Sequence, residues 1–180
     1  MTYIALLRGI NVGGKSLVKM PALKACFEGA GMTKVTTYLQ TGNVIFESRE
    51  RTVSKLMAAV EKALSTTCGW EIPTVVRSAA QFQQVMEGVP SGWPRANQLR
   101  RYMAFLRSPM TASQAMKVVE AREGVDVVTP GNGVLYMSTR LDALSKSRLP
   151  KLVGTPVYQA MTIRSYSTCL KLSALVERKV

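Results

Sequence analysis

Residues 3–8 open the chain with a continuous apolar run, Tyr3-Ile4-Ala5-Leu6-Leu7, closed by Arg8. No polar position alternates within it, which is the pattern of a strand buried on both faces. After a glycine-rich loop the period changes. Met20, Leu23, Phe27 and Ala30 recur at helical spacing, with Pro21 suited to the first turn and Gly31 to the stop. Val35-Thr36-Thr37-Tyr38-Leu39 and Val44-Ile45-Phe46 then flank Gln40-Thr41-Gly42-Asn43, which predicts a hairpin. Val53, Leu56, Met57, Val60 and Leu64 predict an amphipathic helix. A strand over 72–76 follows, and Arg77-Ser78 leads into a short helix over 79–87.

The second half repeats this order. A strand over 101–107 precedes a helix opened by the capping box Thr111-Ala112-Ser113-Gln114. Strands over 125–129 and 134–138 flank the turn Pro130-Gly131-Asn132-Gly133. A helical stretch near 142–150 and a strand over 157–163 come next, and Arg164-Ser165 opens a last helix as Arg77-Ser78 does. The reading is α+β: βαββαβ with a terminal helix, twice, the order of two ferredoxin-like halves. Pro90-Ser91-Gly92-Trp93-Pro94 marks the joint, giving a first half over 1–90 and a second over 91–180.

The two copies differ at one place. Tyr3-Ile4-Ala5-Leu6-Leu7-Arg8 is echoed 99 residues later by Tyr102-Met103-Ala104-Phe105-Leu106-Arg107, whereas the Gly-Asn pairs at 42 and 131 are 89 apart. About ten residues of the first copy therefore have no counterpart, and they are the loop Gly9-Ile10-Asn11-Val12-Gly13-Gly14-Lys15-Ser16. A loop added to a scaffold is a candidate site; a plain surface excursion is the alternative.

Composition narrows the chemistry. The 180 residues contain no histidine, which removes Ser-His and Cys-His nucleophile pairs and histidine metal ligands. Nine glutamates with Asp126 and Asp142 are the only carboxylates, and no spacing among them suggests a metal cage or a glycosidase dyad. Cys26, Cys68 and Cys169 lack metal-ligand spacing and read as reduced thiols. No metal or cofactor is assigned, and whether the protein is an enzyme stays open. No apolar run approaches the ~20 residues of a membrane helix, and no export signal opens the chain, so the expectation is a cytoplasmic protein without a membrane. Net charge is +13, with fourteen basic and five acidic residues over 91–180 against ten and six over 1–90. Such a balance favours anionic partners, either a small phosphorylated molecule or nucleic acid.

Gly9-x-x-x-x-Gly14-Lys15-Ser16 satisfies the P-loop expression, but Pro21 falls where the second turn of a P-loop helix would run. No strand ends in a magnesium-holding aspartate, and the parallel strand-helix order is missing, which argues against a P-loop NTPase. The physics of the loop survives. Gly13 and Gly14 expose amides, Lys15 adds a charge, and Arg8 stands where the strand delivers the chain. Gln40 and Asn43 are hairpin residues that serve the turn or face a ligand. A second polar cluster is Thr162-Ile163-Arg164-Ser165-Tyr166-Ser167-Thr168 at a helix start, read either as an anion site or as an N-cap.

These segments resemble a bacterial family known as domain of unknown function 1697. Its opening pattern is similar to Leu6-Leu7-Arg8-Gly9-Ile10-Asn11-Val12-Gly13-Gly14-Lys15, and its second to Thr37, Tyr38, Gln40, Thr41, Gly42, Asn43, Val44 and Phe46. Its later S-K-L resembles Ser147-Arg148-Leu149. Thr162, Arg164 and Thr168 fit its last pattern, while Ser165, Tyr166 and Ser167 depart from it. The resemblance implies a duplication of ferredoxin-like halves and assigns no biochemical function. The resulting expectation is a small phosphorylated ligand bound by Arg8, Asn11, Gly13, Gly14 and Lys15, with Gln40, Asn43 and Arg164. A nucleic-acid module using the basic second half is the alternative, and a scaffold with an incidental loop is the third reading.

Overall fold

The computed structural model describes residues 1–14 and 16–177. It is a mixed α+β protein with two four-stranded antiparallel sheets. The first contains β1 (Thr2–Leu7), β2 (Thr33–Tyr38), β3 (Asn43–Glu47) and β4 (Thr74–Ser78) in the order β2-β3-β1-β4. Helices α1 (Met20–Gly29) and α2 (Val53–Cys68) connect its strands, and α3 (Ala79–Glu87) follows β4. The second contains β5 (Leu99–Leu106), β6 (Asp126–Gly131), β7 (Val134–Arg140) and β8 (Met161–Ser165) in the order β6-β7-β5-β8. Helices α4 (Ala112–Met116) and α5 (Pro156–Gln159) lie between its strands, and α6 (Tyr166–Glu177) follows β8. The chain divides into two compact units: Met1–Gln83 together with the segment from Leu172, and Gln84–Lys171.

The unbroken apolar run of β1 has a direct cause. Tyr3, Ala5 and Leu7 join a core with Leu23 and Phe27 of α1 and with Leu56, Val60 and Leu64 of α2. Ile4 and Leu6, on the opposite face, are also fully buried. A strand flanked on both sides, by β3 and β4, with both faces out of water has no position left for a polar side chain.

Local hydrogen bonds repeat between the units. The Leu7 and Arg8 amides donate to the carbonyls of Gly42 (2.8 Å) and Pro73 (2.9 Å); those of Leu106 and Arg107 donate to Gly133 (2.9 Å) and Ala160 (2.8 Å). Arg77 and Arg164 each turn Nη1 back to the preceding carbonyl, of Val76 at 3.0 Å and Ile163 at 2.9 Å. Ser78 accepts from the Gln81 amide and Ser165 from the Thr168 amide, so each hydroxyl caps the helix that follows. The capping box at Thr111 is also present.

Four elements differ most from the sequence expectation. The strand expected at 157–163 begins only at Met161, because Thr155 caps a single turn with Pro156 in its first position (the Tyr158 amide donates to Thr155 Oγ1). The helix expected near 142–150 is two 3₁₀ turns, Leu141–Lys146 and Leu149–Leu152. Ser147 and Arg148 interrupt it because both bond elsewhere, as described below. Strand β6 runs on through Pro130 and Gly131, so the turn is Asn132-Gly133 alone. The sheet order makes β6 an edge strand, where a missing N–H is tolerated. The strand expected at 72–76 lies at Thr74–Ser78 and so includes Arg77.

Candidate functional site

The glycine-rich loop leaves β1 between two anchors. Ile10 at its root and Val18 on its return are both buried in the first core. Between them Asn11, in a left-handed conformation with φ 54°, acts as a clasp. Its Nδ2 donates to the carbonyls of Val18 (3.0 Å) and Gln40 (2.7 Å), and its Oδ1 accepts from the Val18 amide (2.8 Å). The Asn11 amide also donates to the Ser16 carbonyl at 3.1 Å. The side chain thus uses both donors and one acceptor to close the loop and tie it to the hairpin. We expect Asn11→Ala to cost about 2 kcal/mol, since three hydrogen bonds are lost and their backbone partners must find water. A thermal melt checks this, and an unchanged midpoint would contradict the clasp.

Gly13 and Gly14 stand at the exposed tip with φ 59° and 73°, and no atom lies within 4 Å of the place a Cβ would occupy on either. Space above this backbone is open. Lys15 lies outside the described residues. Arg8 is half-buried at the loop's base. Through Phe27 the chain holds Arg8, Lys15, Lys19 and Lys24 and no carboxylate, so the segment carrying the loop is wholly cationic.

The hairpin residues divide. Asn43 is fully buried in β3, and its Nδ2 donates to the Tyr38 carbonyl (2.8 Å) and Thr41 Oγ1 (3.1 Å). It holds the turn from inside. Gln40 is exposed, and its carbonyl receives Asn11. Gly42 must be glycine: its φ is +79°, and a Cβ there would stand 2.7 Å from Leu7 Cβ. That close approach is what brings the hairpin against the end of β1.

Arg164 belongs to the second unit, on β8. It is 8% exposed, and burial brings its guanidinium down to about 10, with nearby Cys169 opposing that shift. The Cys169 thiol is pushed up to about 12 by burial, against the pull of the Arg164 charge. In the neighbouring cluster, Ser165 Oγ lies 3.0 Å from Ser167 Oγ and 2.8 Å from Thr168 Oγ1. Those hydroxyls bond one another around the helix start. Thr162 Oγ1 is buried with no hydrogen-bond partner among the described residues.

One organising residue escaped the sequence reading. Asp126, 5% exposed, accepts four hydrogen bonds. Thr139 Oγ1 (2.8 Å) and Ser147 Oγ (2.7 Å) donate to its Oδ1, and the Arg122 (3.1 Å) and Arg148 (2.9 Å) amides to its Oδ2. The motif Ser147-Arg148-Leu149 is therefore a carboxylate anchor, with the Leu149 amide bonded to Ser147 Oγ at 3.2 Å. The sequence signal of Asp126 is slight: with Asp142 it is one of only two aspartates in the chain. Among the described residues no three metal-ligating side chains gather, and no helix is long and apolar enough to cross a membrane.

Comparison with known proteins agrees with the architecture. A structure described as that of the conserved bacterial protein SP0830 from Streptococcus pneumoniae superimposes with a TM-score of 0.84 at 26% identity, covering 97% of this chain and 98% of the other. No curated protein matches the chain. The model of the family described as "Protein of unknown function (DUF1697)" matches residues 1–136. On that match, over well more than half its length, the chain belongs to the DUF1697 family.

Proposed function

We propose that the loop over residues 8–15 binds a small anionic, phosphorylated ligand. The observation that supports this most is the loop's form: a closed backbone ring, clasped by Asn11, with Gly13 and Gly14 exposed at its tip on a segment without carboxylates. Backbone amides in left-handed turns make concave anion sites, and a lysine beside them adds a point charge. In this reading Gly13, Gly14, Lys15 and Arg8 meet the anion. Asn11 and Asn43 hold the loop and hairpin in place, and Gln40 borders the site. Arg164, on β8 of the second unit, is a further candidate contact for the anion. If a reaction takes place, Lys15 and Arg8 stabilise developing negative charge rather than remove a proton.

We further infer that the chain is a duplication of ferredoxin-like halves, 1–90 and 91–180, in a cytoplasmic protein. The paired Leu7/Leu106, Arg8/Arg107, Arg77/Arg164 and Ser78/Ser165 hydrogen bonds support the duplication.

Thermal shift with nucleotides, sugar phosphates, polyphosphate and short DNA and RNA, on wild type and Lys15→Ala, tests the site. A ligand at a hundred times its Kd stabilises the folded state by about 2.7 kcal/mol. We expect a small phosphate compound to raise the midpoint of the wild type and to lose most of that effect in Lys15→Ala. An equal shift in both proteins would remove the loop from consideration. The second reading, nucleic acid on the basic second half, rests on the exposed Arg95, Arg100, Lys146 and Arg148. It predicts oligonucleotide binding that is indifferent to Lys15 and weakens steeply with salt.

A further inference from the structure

Cys26 lies in the middle of α1, and Cys68 is the last residue of α2. Thr67, the neighbour of Cys68, donates its hydroxyl to Cys26 Sγ at 3.4 Å, which brings the end of α2 against Cys26. Both cysteines are half-buried, and both pack on the same core of the first unit. Cys26 also lines an open cleft of about 680 Å³ between the two helices, walled by Ala22, Ala25, Ala59 and Ala63. The small side chains around Cys26 leave room in the cleft for a solute of peroxide size.

We propose that Cys26 and Cys68 form a dithiol oxidised by hydroperoxides to an intramolecular disulfide. The Cys26 thiolate attacks the peroxide; the O–O bond breaks, an S–O bond forms, and hydroxide or alkoxide leaves. The Cys68 sulfur then attacks the sulfenic sulfur. The S–S bond forms, and the hydroxyl departs as water with the thiol's proton. Two electrons pass from the thiols to the peroxide, so no other oxidant is needed.

The order of attack follows from the surroundings. Burial raises the Cys68 thiol, and the neighbouring Cys26 raises it further, which reduces its thiolate population. Cys26 faces the cleft and reacts first. Cys68 is followed by the left-handed cap Gly69, where a Cβ would meet nothing within 4 Å, so the helix ends in open space just past this thiol. Cys169 is fully buried and serves as an internal control.

The test treats the full chain with hydrogen peroxide, blocks remaining thiols, and maps peptides without reduction. The expected result is the joint loss of the Cys26 and Cys68 thiols, a peptide linking the two, and recovery of both thiols with dithiothreitol. In Cys68→Ser, Cys26 should stop at the sulfenic acid and take up dimedone, while in Cys26→Ser the Cys68 thiol should survive the same exposure. Cys169→Ser should leave the linked peptide unchanged. Separate oxidation of Cys26 and Cys68 to sulfinic acids in the wild type, or links only between chains, would overturn the proposal.

Discussion

Replacing Phe46 by alanine is expected to destabilise the protein by about 3–5 kcal/mol, the range for deleting a fully buried aromatic ring. Phe46 is 0% exposed at the centre of the first core. Its ring stacks on Tyr3, with centroids 5.7 Å apart, and meets the Phe27 ring edge-on at 5.4 Å. Tyr3 is also its partner across the β1–β3 ladder, so one side chain joins the sheet to α1. Neither neighbour can collapse into the void without leaving its own strand or helix, and the cavity term therefore adds to the lost transfer energy. Urea denaturation measures this. Val127→Ala, on edge strand β6 and 61% exposed, is the matched control and should change stability by no more than about 0.5 kcal/mol. A loss below about 1 kcal/mol for Phe46→Ala would mean that the core repacks and the aromatic cluster does not hold the sheet to its helices.

The second large effect is expected at Asp126. Asp126→Ala leaves two hydroxyls and two amides around an empty position, and we expect a loss of about 3 kcal/mol or more. The amides matter most. A hydroxyl can rotate toward water, but the Arg122 and Arg148 N–H groups are aimed by the backbone. Asp126→Asn should be milder, about 1 kcal/mol, because an amide oxygen can take both N–H groups while its nitrogen donates to the hydroxyls. The same centre has a pH signature. Burial pushes the Asp126 carboxyl up, but the bonds from Ser147, the Arg148 amide, Thr139 and the Arg122 amide outweigh it and hold the group below the ordinary carboxylate value. With the folded-state value depressed, the unfolded chain binds the proton more readily. The contribution is complete above the ordinary carboxylate pKa and fades as pH falls through the folded-state value. Stability measured from neutral pH into the acid range should therefore drop more in the wild type than in Asp126→Asn. Parallel curves would show that the carboxylate charge is not what the four donors hold.

Much of the fold is legible in the sequence for a local reason. The unbroken apolar run of β1, the helical spacing that ends in Leu23 and Phe27, the Thr111 capping box and the Asn132-Gly133 turn each act within a few residues. Where a local signal failed, a competing local device had won. Thr155 and Pro156 made a helical turn of residues 157–159, which were expected to begin a strand. Pro130, read as part of a turn, was tolerated in β6 because the sheet order left that strand at an edge. Edge position is a property of the whole sheet, and no window of residues contains it.

The candidate site divides along the same line. The sequence alone determined that the first half carries a loop the second lacks, that glycines stand at its tip, and that histidine chemistry is absent. These are facts of residue identity and spacing. Only the tertiary structure decided that Asn11 acts as a clasp, because its partner Gln40 is 29 residues away. It likewise turned Asn43 inward and joined Asp126 to Ser147 across 21 residues. A polar side chain's task depends on which backbone groups folding leaves unpaired near it. Those groups come from strands and loops distant in sequence, so the type of residue is written in the chain while its hydrogen-bond partner exists only once the sheet has formed.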